Sequence, residues 1–261
     1  MLPLTGSSPP TSPETLAEAL RAGLAAHGLI AASVSASGEW PQLDALAIDL
    51  TGALIDTTPA LPHPDAGRTG NFSAKTFTLH AAPALVRGAP LDLEISGLAA
   101  TFALAPAGAE SVALLTGAAE GNVILQIPHG ALEQLIHRLA SDAAREHGVE
   151  IKQTRVTLTS RGPRAVSIVA EVTAKAFIAT ATVTLSGEAE LDDQFVARLS
   201  NLRFSGDGMI ANLAGSVIRP VLTKLEGRTF PLLDFIGGEF ALRDVRLEVG
   251  ESLRLVAQFG R

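Results

Sequence analysis

The sequence predicts an α+β fold whose sheet is mainly antiparallel. Over most of the 261 residues, apolar side chains recur with the period of two that is typical of β-strands, and only three segments have helical spacing. The strand segments follow one another along the chain instead of alternating with helices. This order disfavours doubly wound and (β/α)-barrel folds, in which each strand is followed by a helix.

Three segments are predicted to be helical. The first begins at Ser12, an N-cap residue that is followed by a proline and an acidic residue. The second covers residues 128–147 and is amphipathic. Its polar face includes Glu133 and His137, and we expect His137 to lie in solvent. The third, residues 209–226, is apolar on most of its surface and contains a proline that should kink it. Its polar residues form one stripe at spacings of four and three: Asn212, Ser216, Arg219, Thr223 and Glu226.

Residues 149–207 are predicted to form long β-strands rich in threonine, valine and alanine. In the middle of this region the apolar positions change phase after Ala176, with no typical turn residue at that point. We therefore expect one long strand with a bulge or a sharp bend there. Two further phase changes, at Ser200-Asn201 and at Arg243-Asp244, lie within hexamers that share one polar and apolar pattern.

Composition and charge exclude or disfavour several function classes. The chain has 20 basic and 27 acidic residues and a formal net charge of −7, so we expect no nucleic-acid partner. It has no cysteine, which excludes disulfides, thiolate metal ligands and cysteine nucleophiles. Hydrophobic residues reach 47% while aromatic residues are only 4%. Since large side chains usually fill wide interiors, the layers either pack closely or leave space between them.

The N-terminal segment gives no clear indication of location. Residues 1–12 have no basic start and no long apolar run, so we expect a disordered lead and no signal peptide. No segment has the uninterrupted apolar length of a transmembrane helix. These observations suit the cytoplasm for the sequence as written, or the cell envelope if a longer precursor was trimmed, and the location stays open.

No catalytic, metal or cofactor motif is present. The sequence lacks the nucleophile-elbow, zinc-protease, Walker and dinucleotide-binding patterns, and its six histidines are scattered. His63 and Asp65 lie in a proline-rich loop, while His137 and His147 are ten residues apart and cannot share a metal. We therefore predict no catalytic residue, no metal site, no cofactor and no enzymatic activity. A hydrolase would need a carboxylate and a histidine brought together in space.

Small residues alternate along the predicted strands opposite apolar helix faces, and two interpretations follow. In the first, the alanines allow close helix-on-sheet packing. In the second, they line an elongated apolar cavity that admits acyl chains. Strands of fifteen residues span about 50 Å at ~3.3 Å per residue, and such strands form a gutter around a helix more readily than a small barrel.

Residues 123–132, the threonine- and alanine-rich strand region and the closing run 228–249 resemble the LmeA-type bacterial phospholipid-binding proteins. These belong to the tubular lipid-binding (TULIP) superfamily, and the most specific part of the resemblance is residues 231–247. It implies a long, bent sheet rolled around two or three helices. It also implies one elongated lipid-binding domain over 13–261, with 13–127 and 128–261 as candidate halves, and favours the cavity over the packed core.

We therefore expect a phospholipid or fatty acyl chain in a groove between sheet and helices, for carriage or transfer. The chain would touch membrane surfaces only transiently and would be a monomer or a homodimer. The alternative is a structural or scaffolding module that acts through protein contacts. The expected lipid-binding residues are four from the second helix, four from the strands and four from the third helix: Leu132, Leu135, Ile136, Leu139, Ala170, Ala174, Ala179, Ala181, Ile210, Leu213, Val217 and Val221.

Overall fold

Strand patterns dominate the fold as they dominate the sequence, and the α+β class is confirmed. The computed structural model describes residues 1–5, 9–29, 33–55, 64, 67–108, 110–145, 148–176, 179–192, 196–231 and 242–260. The helices in these ranges are α1 (Pro13–Ala26), α2 (His129–Arg145) and α3 (Gly208–Leu225). None of them is both long and apolar enough to cross a membrane.

The strands are numbered in chain order. They are β1 (Leu2–Leu4), β2 (Ser33–Glu39), β3 (Gln42–Asp49), β4 (Leu54–Ile55), β5 (Gly70–Val86), β6 (Ala89–Ala107), β7 (Glu110–Gly117), β8 (Glu120–Pro128), β9 (Glu150–Gly162), β10 (Ala165–Ala176), β11 (Ala179–Leu191), β12 (Val196–Gly206), β13 (Thr229–Pro231), β14 (Leu242–Val249) and β15 (Ser252–Gly260).

The chain divides into two compact units. The first comprises residues 1–126, 233–245 and 255–261, and the second comprises residues 127–232 and 246–254. The candidate division at 127/128 is one residue from the first boundary between the units. The C-terminal segments 233–245 and 255–261, however, belong to the first unit instead of a C-terminal half.

The first unit is built on a ten-stranded sheet, in which the path of paired strands is β14-β15-β8-β6-β5-β3-β2. The long strands β5 and β6 form a hairpin around Arg87 and Gly88, both of which have positive φ, as the twist of a two-residue hairpin requires. β6 then pairs with β8 through its first half and with β7 through its second. Most pairings are antiparallel, as expected, but β3 and β4 pair with β5 in parallel.

The prediction of a disordered lead over residues 1–12 is wrong for Leu2–Leu4. These residues form β1, which pairs with residues 111–113 of β7, and Leu4 is only 2% exposed. Gly23 of α1 lies against this strand so closely that an added Cβ would be 2.3 Å from the carbonyl oxygen of Pro3. Two buried leucines and a close helix contact therefore fix the segment, although its sequence is too short to have a recognisable period.

Aromatic rings fill the core of the first unit. Phe72 stacks on Phe102 with 4.7 Å between ring centroids, Trp40 stacks on Phe72, and Phe77 meets Phe102 edge to face. Phe102 is only 1% exposed. Four of the eleven aromatic residues of the chain therefore pack together in this core.

The second unit contains a five-stranded antiparallel sheet in the order β13-β12-β11-β10-β9. The single bent strand predicted through Ala176 is wrong, because the chain reverses there and β10 pairs with β11 from Ala176 opposite Ala179. A two-residue connection places residues 176 and 179 on the same face, so the alternation changes from even to odd positions. The phase change therefore marks a hairpin, although residues 177–178 lie outside the described chain.

The other two phase changes correspond to left-handed backbone positions. Asn201 and Asp244 have φ of 54° and 48°, and each is the third residue of its hexamer. Asn and Asp adopt this conformation more readily than most other residues. At Asn201 the register between β11 and β12 also shifts, as expected for a β-bulge.

Candidate functional site

The polar stripe of α2 contacts the edge strand β9 of the second unit. Glu133 accepts a hydrogen bond from the backbone N–H of Val156 at 2.8 Å, and His129 donates from Nε2 to the carbonyl oxygen of the same residue. One turn further along, His137 Nδ1 and the Thr154 hydroxyl are 3.2 Å apart and share a hydrogen bond. The expectation that His137 lies in solvent is therefore wrong.

The polar residues of α2 contact β9 because β9 is the edge strand of its sheet. Val156 is opposite Ala170 of β10 and is only 2% exposed, yet its backbone groups are bonded by α2. Buried backbone groups at a sheet edge must find a partner outside the sheet. Three polar residues at i, i+4 and i+8 lie on one side of a helix and can provide such partners. Their spacing was visible in the sequence, but it did not distinguish a sheet edge from solvent.

The predicted apolar residues of α2 lie on a different side of the helix from this stripe. Leu132, Leu135 and Ile136 are half-buried, and Leu139 is 45% exposed. A helix that uses its polar stripe for a sheet edge leaves its apolar flank beside the sheet, where part of it has no cover from the described residues of the second unit. This flank is the apolar surface on which the lipid-binding prediction depends.

Of the four alanines predicted to bind lipid, the structure describes the side chains of three. Ala170 and Ala174 are buried at 4% and 2% exposure, and Ala181 is half-buried opposite Ala174. Ala174 packs with Val149, Ile151 and Ala181. The side chain of Ala179 lies outside the described part. The structure therefore brings three of the four predicted alanines to one sheet face.

The predicted apolar residues of α3 belong to the helix as expected, but the side chains of Ile210, Leu213, Val217 and Val221 lie outside the described part. Ala211 of the same helix is 1% exposed and packs with Val172 and Val183 of the sheet, next to Ala140 of α2 and Phe204 of β12. α2 and α3 thus both contribute to one apolar cluster on the same face of the five-stranded sheet.

The polar stripe of α3 lines a groove, and none of the residues that line it was predicted to bind lipid. The groove has a volume of about 620 Å³ and lies between the C-terminal half of α3 and β12. Its lining residues are Asn201, Leu202, Arg203, Phe204, Arg219, Leu222, Thr223 and Glu226. The sequence signal was the stripe itself, since Arg219, Thr223 and Glu226 share one side of the helix.

Glu226 plays the same part in this groove as Glu133 plays at the other side of the sheet. Its two carboxylate oxygens accept hydrogen bonds from the backbone N–H groups of Asn201 and Leu202, at 3.0 and 2.8 Å. Among the described residues, β12 pairs with β13 over residues 196–198, and Asn201 and Leu202 lie beyond that pairing, at the register shift against β11. A carboxylate from α2 and one at the C-cap of α3 therefore each bind backbone N–H groups of a strand.

The described residues contain no group of side chains suited to a metal ion. In the described ranges, no three histidine, aspartate or glutamate residues are grouped so that they could hold a metal ion. His63, Asp65 and His147 lie outside those ranges, as do residues 232–241 of the closing run. Comparison with known proteins adds no assignment, because no family model, no curated protein and no solved structure matches the chain.

Proposed function

We propose that this chain binds a phospholipid or fatty acyl chain along the apolar flank of α2, for carriage or transfer, in a TULIP-like arrangement of sheet and helices. The observation that carries the proposal is the half-buried flank of Leu132, Ile136 and Leu139 on a helix whose polar stripe is already bonded to β9. An acyl chain would remove the remaining exposed surface of this flank from water, and for Leu139, which is 45% exposed, this contributes less than half of the ~1.5–3 kcal/mol of a fully buried leucine.

The small residues of the sheet support the same proposal. Ala170, Ala174 and Ala181 leave more room above the strands than leucine or phenylalanine would, and they lie on the face that α2 and α3 share. In the first unit, by contrast, stacked rings of Phe72 and Phe102 fill the interior. Apolar ligands bind in concave, mostly apolar sites, and the second unit has the more suitable lining.

We propose a carrier and not an enzyme. Three titratable residues of the two stripes, His129, Glu133 and Glu226, bind backbone groups of strands, and a fourth, His137, shares a hydrogen bond with the Thr154 hydroxyl. A group bonded in this way holds the fold together and is not directed at a substrate. This argument supports a binding role on the described side chains of α2 and α3.

A scaffolding module is the second candidate function, and exposed leucines favour it. Leu54 and Leu98 of the first unit are 59% and 50% exposed. Such residues can serve as anchors for a protein partner if they belong to a contiguous apolar patch. A scaffold would retain partner proteins and would carry no lipid.

Native mass spectrometry with lipid extraction tests the proposal. The purified chain should carry a mass in the phospholipid or fatty-acid range, either as isolated or after incubation with mixed phospholipid vesicles. An Ala181→Trp variant should lose this mass, whereas Thr182→Trp, an exposed neighbour in the same strand, should keep it. If the wild-type chain carries no lipid before or after incubation, the proposal is wrong and the scaffold is favoured.

Thermal unfolding of the same two variants separates a cavity from a packed core. In a cavity, Ala181→Trp fills open space and the melting temperature stays close to that of Thr182→Trp. In a close-packed core, the larger side chain destabilises by about 1–3 kcal/mol. Loss of lipid together with unchanged stability would therefore locate the ligand above β11.

A further inference from the structure

The groove between α3 and β12 combines apolar and basic groups. Leu202, Phe204 and Leu222 supply apolar surface, and Arg219 and Arg203 supply positive charge. A volume of about 620 Å³ is within the ~300–1,000 Å³ typical of small-molecule sites. The groove is therefore large enough for part of an amphipathic molecule, and its lining has both of the chemistries that such a molecule needs.

Arg219 is held in place without an acidic partner. Its guanidinium carbon lies 5.5 Å from the centroid of the Phe204 ring, a distance typical of cation–π contact. Gly215, one turn earlier in α3, permits the close approach of this ring, since an added Cβ would be 3.0 Å from it. Across the described residues, no carboxylate lies within ion-pair distance of Arg219 or Arg203.

The other polar groups of the groove are already used. Glu226, the acidic residue of the lining, accepts from the N–H groups of Asn201 and Leu202. The Asn201 side chain donates to Glu188 at 2.6 Å, and the Thr223 hydroxyl donates to the Arg219 carbonyl at 2.9 Å. The guanidinium groups of Arg203 and Arg219 therefore remain as donors that a ligand can use, and Arg219, which is held against Phe204, can bind an oxyanion through two parallel hydrogen bonds.

We propose that this groove binds the charged end of an amphipathic anion, with a phosphate or carboxylate on Arg219 and the adjoining methylene groups against Phe204 and Leu222. This inference rests on the proposed function, because the anion would be the headgroup of the acyl ligand. It goes beyond that function by assigning the charge of the ligand and the residue that recognises it.

Dodecyl phosphate, used below its critical micelle concentration, is the appropriate probe, and binding is measured by isothermal titration calorimetry on the full chain. We expect Arg219→Gln to weaken binding about tenfold or more, the loss typical of a charge-assisted hydrogen bond. Arg198→Gln removes the same charge from an exposed site of β12 outside the groove and should change binding less than twofold. Arg219→Lys keeps the charge but loses the bidentate geometry and should be intermediate.

Three further ligands distinguish the source of the anion. Inorganic phosphate should bind far more weakly than dodecyl phosphate, because each buried methylene strengthens binding about fourfold. Dodecanoate should depend on Arg219 as dodecyl phosphate does. Monododecanoylglycerol, which has a chain but no charge, should bind wild type and Arg219→Gln equally.

The outcomes separate this inference from the proposed function. If Arg219→Gln and Arg198→Gln bind dodecyl phosphate equally, the anion site is wrong, while binding of the neutral lipid would leave the proposed function standing. A second outcome is that inorganic phosphate and dodecyl phosphate bind wild type with equal affinity and that neither binds Arg219→Gln. This would show a site for free anions and would overturn the proposal that the ligand is an amphipathic anion. If no ligand with a chain binds, both proposals fail.

Discussion

Replacing Glu133 with alanine should release α2 from the edge of β9. The carboxylate accepts the N–H of Val156 at 2.8 Å, and Val156 is only 2% exposed. Hydrogen bonds to charged groups contribute about 1.5–3 kcal/mol, and a buried donor left alone costs a similar amount. Because the Glu133 side chain is 32% exposed, water can replace part of the bond. We therefore expect a loss near the lower end, about 1.5 kcal/mol.

Hydrogen exchange at the Val156 amide gives the most direct measurement of this bond. A loss of about 1.5 kcal/mol corresponds to roughly a tenfold faster exchange at that amide. Glu133→Gln keeps an acceptor oxygen without the charge and should lose about half as much free energy. Gln134→Ala, at the exposed neighbouring position of the same helix, is the matched control for helix propensity and should leave the Val156 amide protected.

The reasoning would be refuted by equal protection of the Val156 amide in Glu133→Ala and Gln134→Ala. That result would mean that the Val156 amide is satisfied without Glu133, and α2 would then be held at β9 by the hydrogen bonds of His129 and His137 and by its apolar contacts. The half-exposed flank could in that case no longer be explained by the orientation that the polar stripe imposes.

Three other outcomes are expected. Gly23→Ala should destabilise by more than the ~1 kcal/mol typical of point mutations and should expose β1 to proteolysis, because its Cβ would be 2.3 Å from the Pro3 carbonyl oxygen. Asn201→Gly should be tolerated in urea unfolding, whereas Asn201→Val should destabilise by about 1 kcal/mol or more, since φ is 54° there. The pKa of Asp49 is held below its ordinary value of 3.8 by hydrogen bonds from Thr51. Its contribution to stability should therefore be complete above pH 3.8 and decrease as the pH falls through the lower pKa of the folded state, which an NMR titration of wild type and Thr51→Ala can measure.

The fold class could be predicted because period-two patterns in long strands are strong and local. The α1 start at Ser12 is such a local signal, and the structure shows the Ser12 and Thr15 side chains capping the helix reciprocally. The parallel pairing of β3 with β5 could not be predicted, because strand order depends on which edges meet after the chain has folded. The alternation of apolar and polar residues in β3 and β5 does not indicate which strand each of them pairs with.

The hairpin at Ala176 shows a different limit. A change of phase is produced both by a bulge and by a two-residue turn, and turn residues usually distinguish the two. Here the connection is Phe177-Ile178, which has no typical turn residue, so the sequence favoured the bulge. The pairing of Ala174 with Ala181 decides for the hairpin and brings the predicted alanines onto one face.

The candidate site was partly predictable for a related reason. Apolar and polar faces of a helix follow directly from the sequence, but the object that each face contacts does not. In α2 and α3 the polar stripe faces a strand edge instead of water, since Glu133 and Glu226 both bind backbone N–H groups there. A sheet of limited width must cover its open edges, and these two carboxylates cover opposite sides of the five-stranded sheet. Between these two edges, Ala211 of α3 and Ala140 of α2 pack with Val172 and Val183 on the face of the sheet, so each helix is held both by an edge carboxylate and by small apolar residues.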